Sequence, residues 1–96
     1  MNKNVKYNLE YNNSYYWNEI VESKDLKDII KALKKELDYS INAVKTYKDY
    51  VYNVNKLTYN ENINDYDYDT IEINMKDYLL NMSSEERKEV LDSVKF

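Results

Sequence analysis

The chain has 96 residues, of which 43% are hydrophobic, and a formal net charge of −4 at pH 7. It contains no Cys, His, Gly or Pro, so disulfides, thiol or imidazole catalysis, ordinary zinc sites and glycine-rich phosphate loops are excluded. We expect a single domain over residues 1–96 that is not an enzyme and binds neither a metal nor a cofactor.

A β-hairpin is the first predicted element. Residues 3–11 (KNVKYNLEY) alternate apolar and polar side chains, which is typical of a half-buried strand. The asparagine pair at 12–13 fits a two-residue turn, because asparagine tolerates a positive φ. Residues 15–21 could form a strand or a helical turn, but as a strand they would place Lys6 opposite Glu19, an attractive pair. The inward face of the first strand is expected to carry Val5, Tyr7, Leu9 and Tyr11.

Two aromatic side chains, Tyr15 and Trp17, lie in the second half of this hairpin. In the expected register they point away from the face that carries Val5. They could form a second core contact beneath a helix or an exposed aromatic patch. Burial is favoured for Trp17, the only tryptophan of the chain, because its large ring gains much from leaving water.

A long helix is the next predicted element. We expect Ser23 as its N-cap, with Asp25 in the first turn. Apolar residues then recur in alternating steps of four and three residues, and Ser40 is the one weak position. The spacing predicts a helix over residues 24–54, about 45 Å long at ~1.5 Å per residue, which packs on the sheet or pairs with another helix. Its stripe is Leu26, Ile30, Leu33, Leu37, Val44, Tyr47, Val51 and Val54.

The segment after the helix predicts a third strand. Residues 57–65 (LTYNENIND) indicate a loop with at most a short edge strand. Residues 70–75 (TIEINM) are rich in β-branched and apolar side chains and predict the strand itself. No internal repeat is visible.

Two short helices are predicted at the C-terminal end. KDYLLNM forms the first, and SSEERKEVLDSVKF forms the second, which opens with a capping box of Ser83 and Glu86. The expected fold class is therefore α+β. It comprises a small antiparallel sheet, made of the N-terminal hairpin plus a third strand, packed by one long helix and a C-terminal helix pair.

A calcium loop is tested first, because Asp65, Asp67 and Asp69 match positions 1, 3 and 5 of an EF-hand loop. That loop requires glycine at position 6 and a bidentate glutamate at position 12. Thr70 and Lys76 occupy those positions here. A calcium site is therefore excluded.

A metal-dependent nuclease is tested next, because residues 22–24 (ESK) match half of a common nuclease motif. Such a site needs a second carboxylate beside Glu22 to hold magnesium. The expected hairpin register places Lys3 opposite Glu22, and the nearest acid of the first strand, Glu10, then lies about 23 Å away at ~3.3 Å per residue. The sequence match is therefore interpreted as chance.

The acidity of the chain is concentrated in one segment. Residues 57–75 contain five acidic residues and no basic one. Within the stretch NDYDYDTIEIN, the aspartates share a strand face with the isoleucines, so the apolar side changes near Thr70. We expect either a bulge at residues 69–70 or a projecting loop, with only residues 70–75 in the sheet. Both alternatives leave the three aspartates in water.

This segment is the candidate binding surface. Carboxylates on one side of an extended chain lie ~6.6 Å apart and would meet Lys and Arg side chains of a partner. Tyrosines are common anchors at protein interfaces. The alternative is an acidic loop that only keeps the chain soluble. The expected partner-binding residues are Asp65, Tyr66, Asp67, Tyr68, Asp69, Glu72 and Glu61.

In its size, its acidity and its lack of catalytic motifs, the chain resembles small phage-encoded inhibitors of bacterial defence, the anti-CRISPR proteins in particular. This resemblance implies a non-enzymatic inhibitor that blocks the nucleic-acid-binding surface of a Cas effector. No residue is carried over from a named family, because no motif, DYDYD included, identifies one. The alternative function is a structural or regulatory dimer built on the 24–54 helix, such as an antitoxin or a phage assembly factor.

The expected partner is therefore a protein with a basic surface, namely a host enzyme that acts on nucleic acid, such as a Cas effector. We expect no direct nucleic-acid binding, since the chain lacks a basic stripe. The first residues are polar and no apolar run approaches the ~20 residues of a membrane span, so we expect a cytoplasmic protein of a bacterial host cell without a signal peptide. The chain itself would be a monomer or a homodimer.

Overall fold

The structure, a computed structural model, describes residues 4–12, 17–43 and 51–96, without the side chains of residues 39–43. Within these ranges, four strands and three helices follow one another in the order ββαββαα. They are β1 (Val5–Asn12), β2 (Trp17–Ser23), α1 (Leu26–Ala43), β3 (Val51–Asn60), β4 (Asp65–Asn74), α2 (Met75–Leu80) and α3 (Ser84–Asp92). The predicted α+β class with an antiparallel sheet is confirmed.

The sheet has four strands in the described residues rather than the predicted three. Their spatial order is β2-β1-β3-β4, and every neighbouring pair is antiparallel. The unpredicted strand, β3, lies in the interior of the sheet. Its side chains from Tyr52 to Asn55 are all buried. Residues 57–60, where we expected a loop or a short edge strand, form the end of this interior strand.

The predicted helix over residues 24–54 is wrong. Helix α1 is described to Ala43, residues 44–50 lie outside the described part, and Val51 and Val54 belong to β3. The sequence VYNVNKLTYN is rich in valine and tyrosine, which suit a pleated strand. Of the helix on which the dimer hypothesis was built, residues 26–43 are helical and residues 51–54 are not.

The start of α1 also differs from the prediction. Asp25, not Ser23, directly precedes the helix, and its carboxylate accepts a hydrogen bond from the Lys27 backbone N–H at 2.9 Å. Ser23 precedes Asp25 by two residues. Its hydroxyl accepts a hydrogen bond from the Asp25 backbone N–H at 3.1 Å and donates one to the Asp28 carboxylate at 2.7 Å. The two residues together satisfy backbone donors at the helix entrance.

The register of the β1–β2 hairpin is not the one we expected. Leu9 pairs with Val21 and Glu10 with Glu19, and the extra residue between them on β2 makes a β-bulge. The predicted turn at residues 12–13 is wrong, because Asn12 belongs to β1 and pairs with Trp17 of β2. Residues 13–16 lie outside the described part. The predicted pairing of Lys6 with Glu19 is therefore wrong.

Trp17 is the first described residue of β2. Its side chain is 53% exposed, so the expected burial is wrong. It lies opposite Asn12 at the end of the hairpin, on the sheet face that faces away from the helices. Tyr15 lies outside the described residues.

One face of the sheet packs against the helices to form the core. The strands contribute Leu9, Tyr52, Val54 and Ile73, which lie on the same face in the paired registers. The helices and the C-terminal segment contribute Ile29, Leu33, Leu37, Met75, Tyr78 and Val94. Within the described residues, none of the helices combines the length and the apolarity that a membrane crossing requires.

Helix α3 begins as predicted. The Ser83 hydroxyl accepts from the Glu86 backbone N–H at 3.2 Å, and the Glu86 carboxylate accepts from the Ser83 backbone N–H at 3.1 Å. Arg87 then joins α3 to α2, since its guanidinium donates to the carbonyls of Tyr78 and Leu79 at 2.9 and 2.6 Å. Those carbonyls lie in the last turn of α2, where carbonyl groups lack partners within the helix.

Candidate functional site

Strand β4 is regular over its whole length. It pairs with β3 without a register shift, from Asp65 opposite Asn60 to Asn74 opposite Val51. Both expected alternatives, a bulge at residues 69–70 and a projecting loop, are therefore wrong. The aspartates do share a face with Ile71 and Ile73, but the helices cover only the isoleucine part of that face. The same face of β4 is therefore buried at Ile73 and exposed to solvent at the aspartates.

A four-residue turn, 61–64, joins the two strands. Asn64 has a φ of 52°, in the left-handed region that asparagine tolerates better than most residues. The Asn60 side chain accepts from the Asn62 backbone N–H at 2.9 Å, which makes an Asx-turn. The Tyr59 hydroxyl donates to the Asn64 side chain and closes the turn from the strand side. Glu61 is exposed in this turn.

The aspartate row, defined as Asp65, Asp67 and Asp69, is exposed to solvent at all three positions. Alternate residues of a strand are separated by ~6.6 Å. Lys56 is the one base directly opposite the row on β3. The salt bridge between Lys6 and Glu22 does not involve the row, and all three aspartates are exposed, so the row presents much of its negative charge outward.

The two tyrosines of the segment lie on the opposite face. Tyr66 packs edge-on against Tyr59 with ring centroids 5.4 Å apart, and the Lys6 ammonium lies 4.6 Å from its ring centroid. Tyr68 is 58% exposed. The predicted aspartates and tyrosines thus lie on opposite faces of the sheet. A partner can contact both sets at once only along the free edge of β4.

Lys6 is a member of this region that the sequence did not reveal. Its ammonium lies 2.5 Å from a Glu22 carboxylate oxygen. The hydrogen bond with Glu22 raises the pKa of Lys6, and partial burial lowers it by a smaller amount. The charges of Glu22, Tyr66 and Glu19 also raise this pKa. A cavity of about 360 Å³ lies beside it, lined by Asn4, Val5, Lys6, Lys24, Tyr59 and Tyr66.

A ladder of polar side chains crosses all four strands on the face away from the helices. Asn8 donates to Glu19 at 3.0 Å, and Asn55 donates to Asn8 at 2.8 Å. Thr70 in turn donates to Asn55 at 2.5 Å, and Asn55 also donates to Glu10. Asn8 and Asn55 are only 4% and 1% exposed. Because each satisfied bond requires one alignment of the strands, the ladder favours this register over others.

A row of acceptors lies next to the ladder on the same face. Glu10 is directly opposite Glu19 on β2 and opposite Asn53 on β3, and Asn53 is opposite Glu72 on β4. The buried Asn53 side-chain oxygen has no hydrogen-bond partner among the described residues. Glu72, a predicted binding residue, therefore belongs to this acidic row and not to the aspartate row.

The observed register changes the carboxylate geometry around Glu22. Glu22 lies opposite Asn8, so Glu10 is only two residues further along β1 and the expected distance of about 23 Å is wrong. Glu22 is, however, bound to Lys6. Among the described residues, no three His, Cys, Asp or Glu side chains are arranged to hold a metal ion.

Comparisons of this chain with protein-family models, with curated proteins and with solved structures find no match. Its function must therefore be inferred from the shape and charge of its surface. Strand β4 carries a row of exposed carboxylates on one face, and on the other face it carries the half-buried Tyr66 and the exposed Tyr68.

Proposed function

We propose that this protein is a non-enzymatic inhibitor that binds a basic surface of a host nucleic-acid enzyme, with a Cas effector as the target that the anti-CRISPR resemblance suggests. The observation that carries this proposal is the aspartate row, held on a regular strand and exposed at all three positions. Such an inhibitor would act in the cytoplasm of a bacterial host.

The charge of the aspartate row defines the chemistry of the partner. Nucleic-acid enzymes line their binding grooves with Lys and Arg to neutralise phosphates. Regularly spaced carboxylates offer those side chains an alternative set of acceptors. Rows of opposite charge also accelerate encounter, so association should be fast and should slow as salt is added.

The edge of β4 adds aromatic contact area to this charge. Tyr68 is 58% exposed, and Tyr66 is held in place by Tyr59 and Lys6. A tyrosine with a fixed ring loses little conformational entropy on binding, and its hydroxyl can still hydrogen-bond to the partner. Glu61 lies in the adjoining turn and Glu72 further along the tyrosine face.

The direct test is charge reversal of the aspartate row. The variant Asp65→Lys, Asp67→Lys, Asp69→Lys should lose inhibition of target-DNA binding by purified Cas effectors that the unmodified protein inhibits. A matched control reverses three exposed acids of α3, Glu85→Lys, Glu89→Lys and Asp92→Lys, and should keep inhibition.

Circular dichroism must show that both variants fold. Inhibition that survives the aspartate-row reversal would contradict the proposal, as would the absence of inhibition by the unmodified protein across the effector types. Inhibition that is stoichiometric, rather than catalytic, would support the non-enzymatic role.

A further inference from the structure

The direction of the backbone groups along β3 and β4 follows from one hydrogen bond. The Tyr59 N–H donates to the Asn4 carbonyl at 2.9 Å, so the backbone of Tyr59 faces β1. Because successive residues of a strand alternate, the backbone of Thr58 faces β4, and its partner Asp67 faces back towards β3. The backbone N–H and C=O groups that point away from β3, at the outer edge of the sheet, are therefore those of Tyr66, Tyr68, Thr70 and Glu72.

Strand β4 thus has a free hydrogen-bonding edge. In the described part of the chain no strand lies beyond it. The other edge strand, β2, has seven residues and is distorted by the bulge near Ile20. Strand β4 has ten residues, no bulge and no proline. Short length, bulges and proline are common protections of a sheet edge against pairing, and β4 lacks them.

The aspartate row determines which strand can pair with this edge. Residues directly opposite each other in paired strands lie on the same face. If two copies of the chain paired through residues 65–69, aspartate would therefore lie against aspartate, and the like charges would repel. A strand with Lys or Arg at alternate positions would instead place one cation opposite each aspartate.

We propose that the free edge of β4 binds an extended, basic segment of the partner as an additional antiparallel strand. The Lys or Arg side chains of that segment face the aspartate row, and its intervening residues lie beside Tyr66 and Tyr68. The backbone groups of those intervening residues hydrogen-bond to the outward groups of β4. This inference rests on the proposed function, since the basic segment belongs to the partner, and adds the mode of binding.

The test uses the full-length protein and a short synthetic peptide in which three lysines alternate with valines. In the proposed pairing, the valine N–H groups point to β4 and the lysine N–H groups point away from it. One modified peptide carries N-methyl groups on the valines, and a matched control carries the same number on the lysines. All three peptides have the same charge, so fluorescence anisotropy separates backbone pairing from simple attraction.

We expect the unmodified and lysine-methylated peptides to bind with similar affinity. The valine-methylated peptide should bind more weakly by roughly tenfold or more, since it cannot donate to the edge. Equal binding of all three peptides, or binding of none, would overturn the backbone pairing. A dimer of the free chain that the unmodified peptide dissociates would assign the edge to a second copy and would also overturn it.

The two proposals fail separately. If charge reversal of the aspartate row abolishes inhibition while the three peptides bind alike, the partner contacts the carboxylates without adding a strand. If the charge-reversed protein still inhibits, the proposed function is wrong whatever the peptides do.

Discussion

The Asn55 side-chain amide donates a hydrogen bond of 2.8 Å to the Asn8 side-chain carbonyl, from the strand β3 to the strand β1 that is opposite it. Both residues are almost fully buried, and they lie on the sheet face opposite the one that packs against the described helices. The pair connects Glu19 on β2 with Thr70 on β4, so one line of side chains spans the sheet. Polar residues thereby favour one alignment of the strands on the face opposite the core.

Removal of Asn55 should destabilise the protein. Asn55→Ala leaves the Asn8 carbonyl and the Thr70 hydroxyl without their partner, and an unsatisfied buried group costs about 1–3 kcal/mol. Urea unfolding should therefore show a lower midpoint with a similar slope. Asn62→Ala, in the exposed turn, is the matched control and should change the unfolding free energy by less than about 0.5 kcal/mol. Equal effects of the two substitutions would show that the ladder contributes nothing.

The direct opposition of Glu10 and Glu19 should be unfavourable. Glu19→Gln removes one of the two like charges while it keeps an oxygen that can accept from Asn8. We expect the unfolding free energy to rise by a few tenths to about 1 kcal/mol, the range of cross-strand charge effects. The gain should shrink in high salt, which screens exposed charges.

The control for that prediction is Glu61→Gln in the turn, which removes the same charge at a site with no acid opposite it. Thermal unfolding at low and high ionic strength provides the comparison. A loss of stability on Glu19→Gln at low salt would contradict the predicted repulsion.

The two tyrosines of β4 should separate binding from folding. Tyr68 is largely exposed, so Tyr68→Ala should leave the melting temperature nearly unchanged and weaken inhibition of the target enzyme. Tyr66→Ala removes the contacts with Tyr59 and Lys6 and should lower stability by about 0.5–1.5 kcal/mol. Thermal unfolding and inhibition assays on both variants test these expectations. If Tyr68→Ala inhibits the target as strongly as the unmodified protein does, Tyr68 is not part of the proposed interface.

The ion pair of Lys6 and Glu22 predicts a pH dependence at the alkaline end. Because the pair raises the pKa of Lys6 in the folded protein, its contribution is fully present below the unfolded value, about 10.4, and is lost as the pH rises through the folded pKa. The variant Lys6→Met should therefore lose less stability than the unmodified protein between pH 10 and pH 11.5.

The measurement is urea unfolding across that pH range. Lys88→Met, an exposed lysine on α3, serves as the control and should follow the unmodified protein. Identical slopes for Lys6→Met and the unmodified protein would contradict the raised pKa. Tyr78, whose pKa is raised by burial, contributes a decline of the same sign and is common to all three proteins.

The features that depend on neighbouring residues could be predicted from the sequence. The capping box of Ser83 and Glu86 is such a feature, because both hydrogen bonds lie within one turn of chain. The inward face of β1 around Leu9 follows from simple alternation. The exposure of the aspartate row was also predicted, since three adjacent carboxylates cannot all leave water without partners.

The position of strand β3 and the alignment of the strands could not be predicted, because they follow from tertiary packing. Val51 and Val54 fit the spacing of a helical stripe and of a strand buried on both faces, and pairing with β1 and β4 selects the strand. The bulge between Val21 and Glu19 and the ladder through Asn55 depend on residues far apart in sequence. On one face of β4, Ile73 is buried in the core while the three aspartates are exposed, so packing against the helices, and not the local sequence pattern, sets the boundary between core and surface.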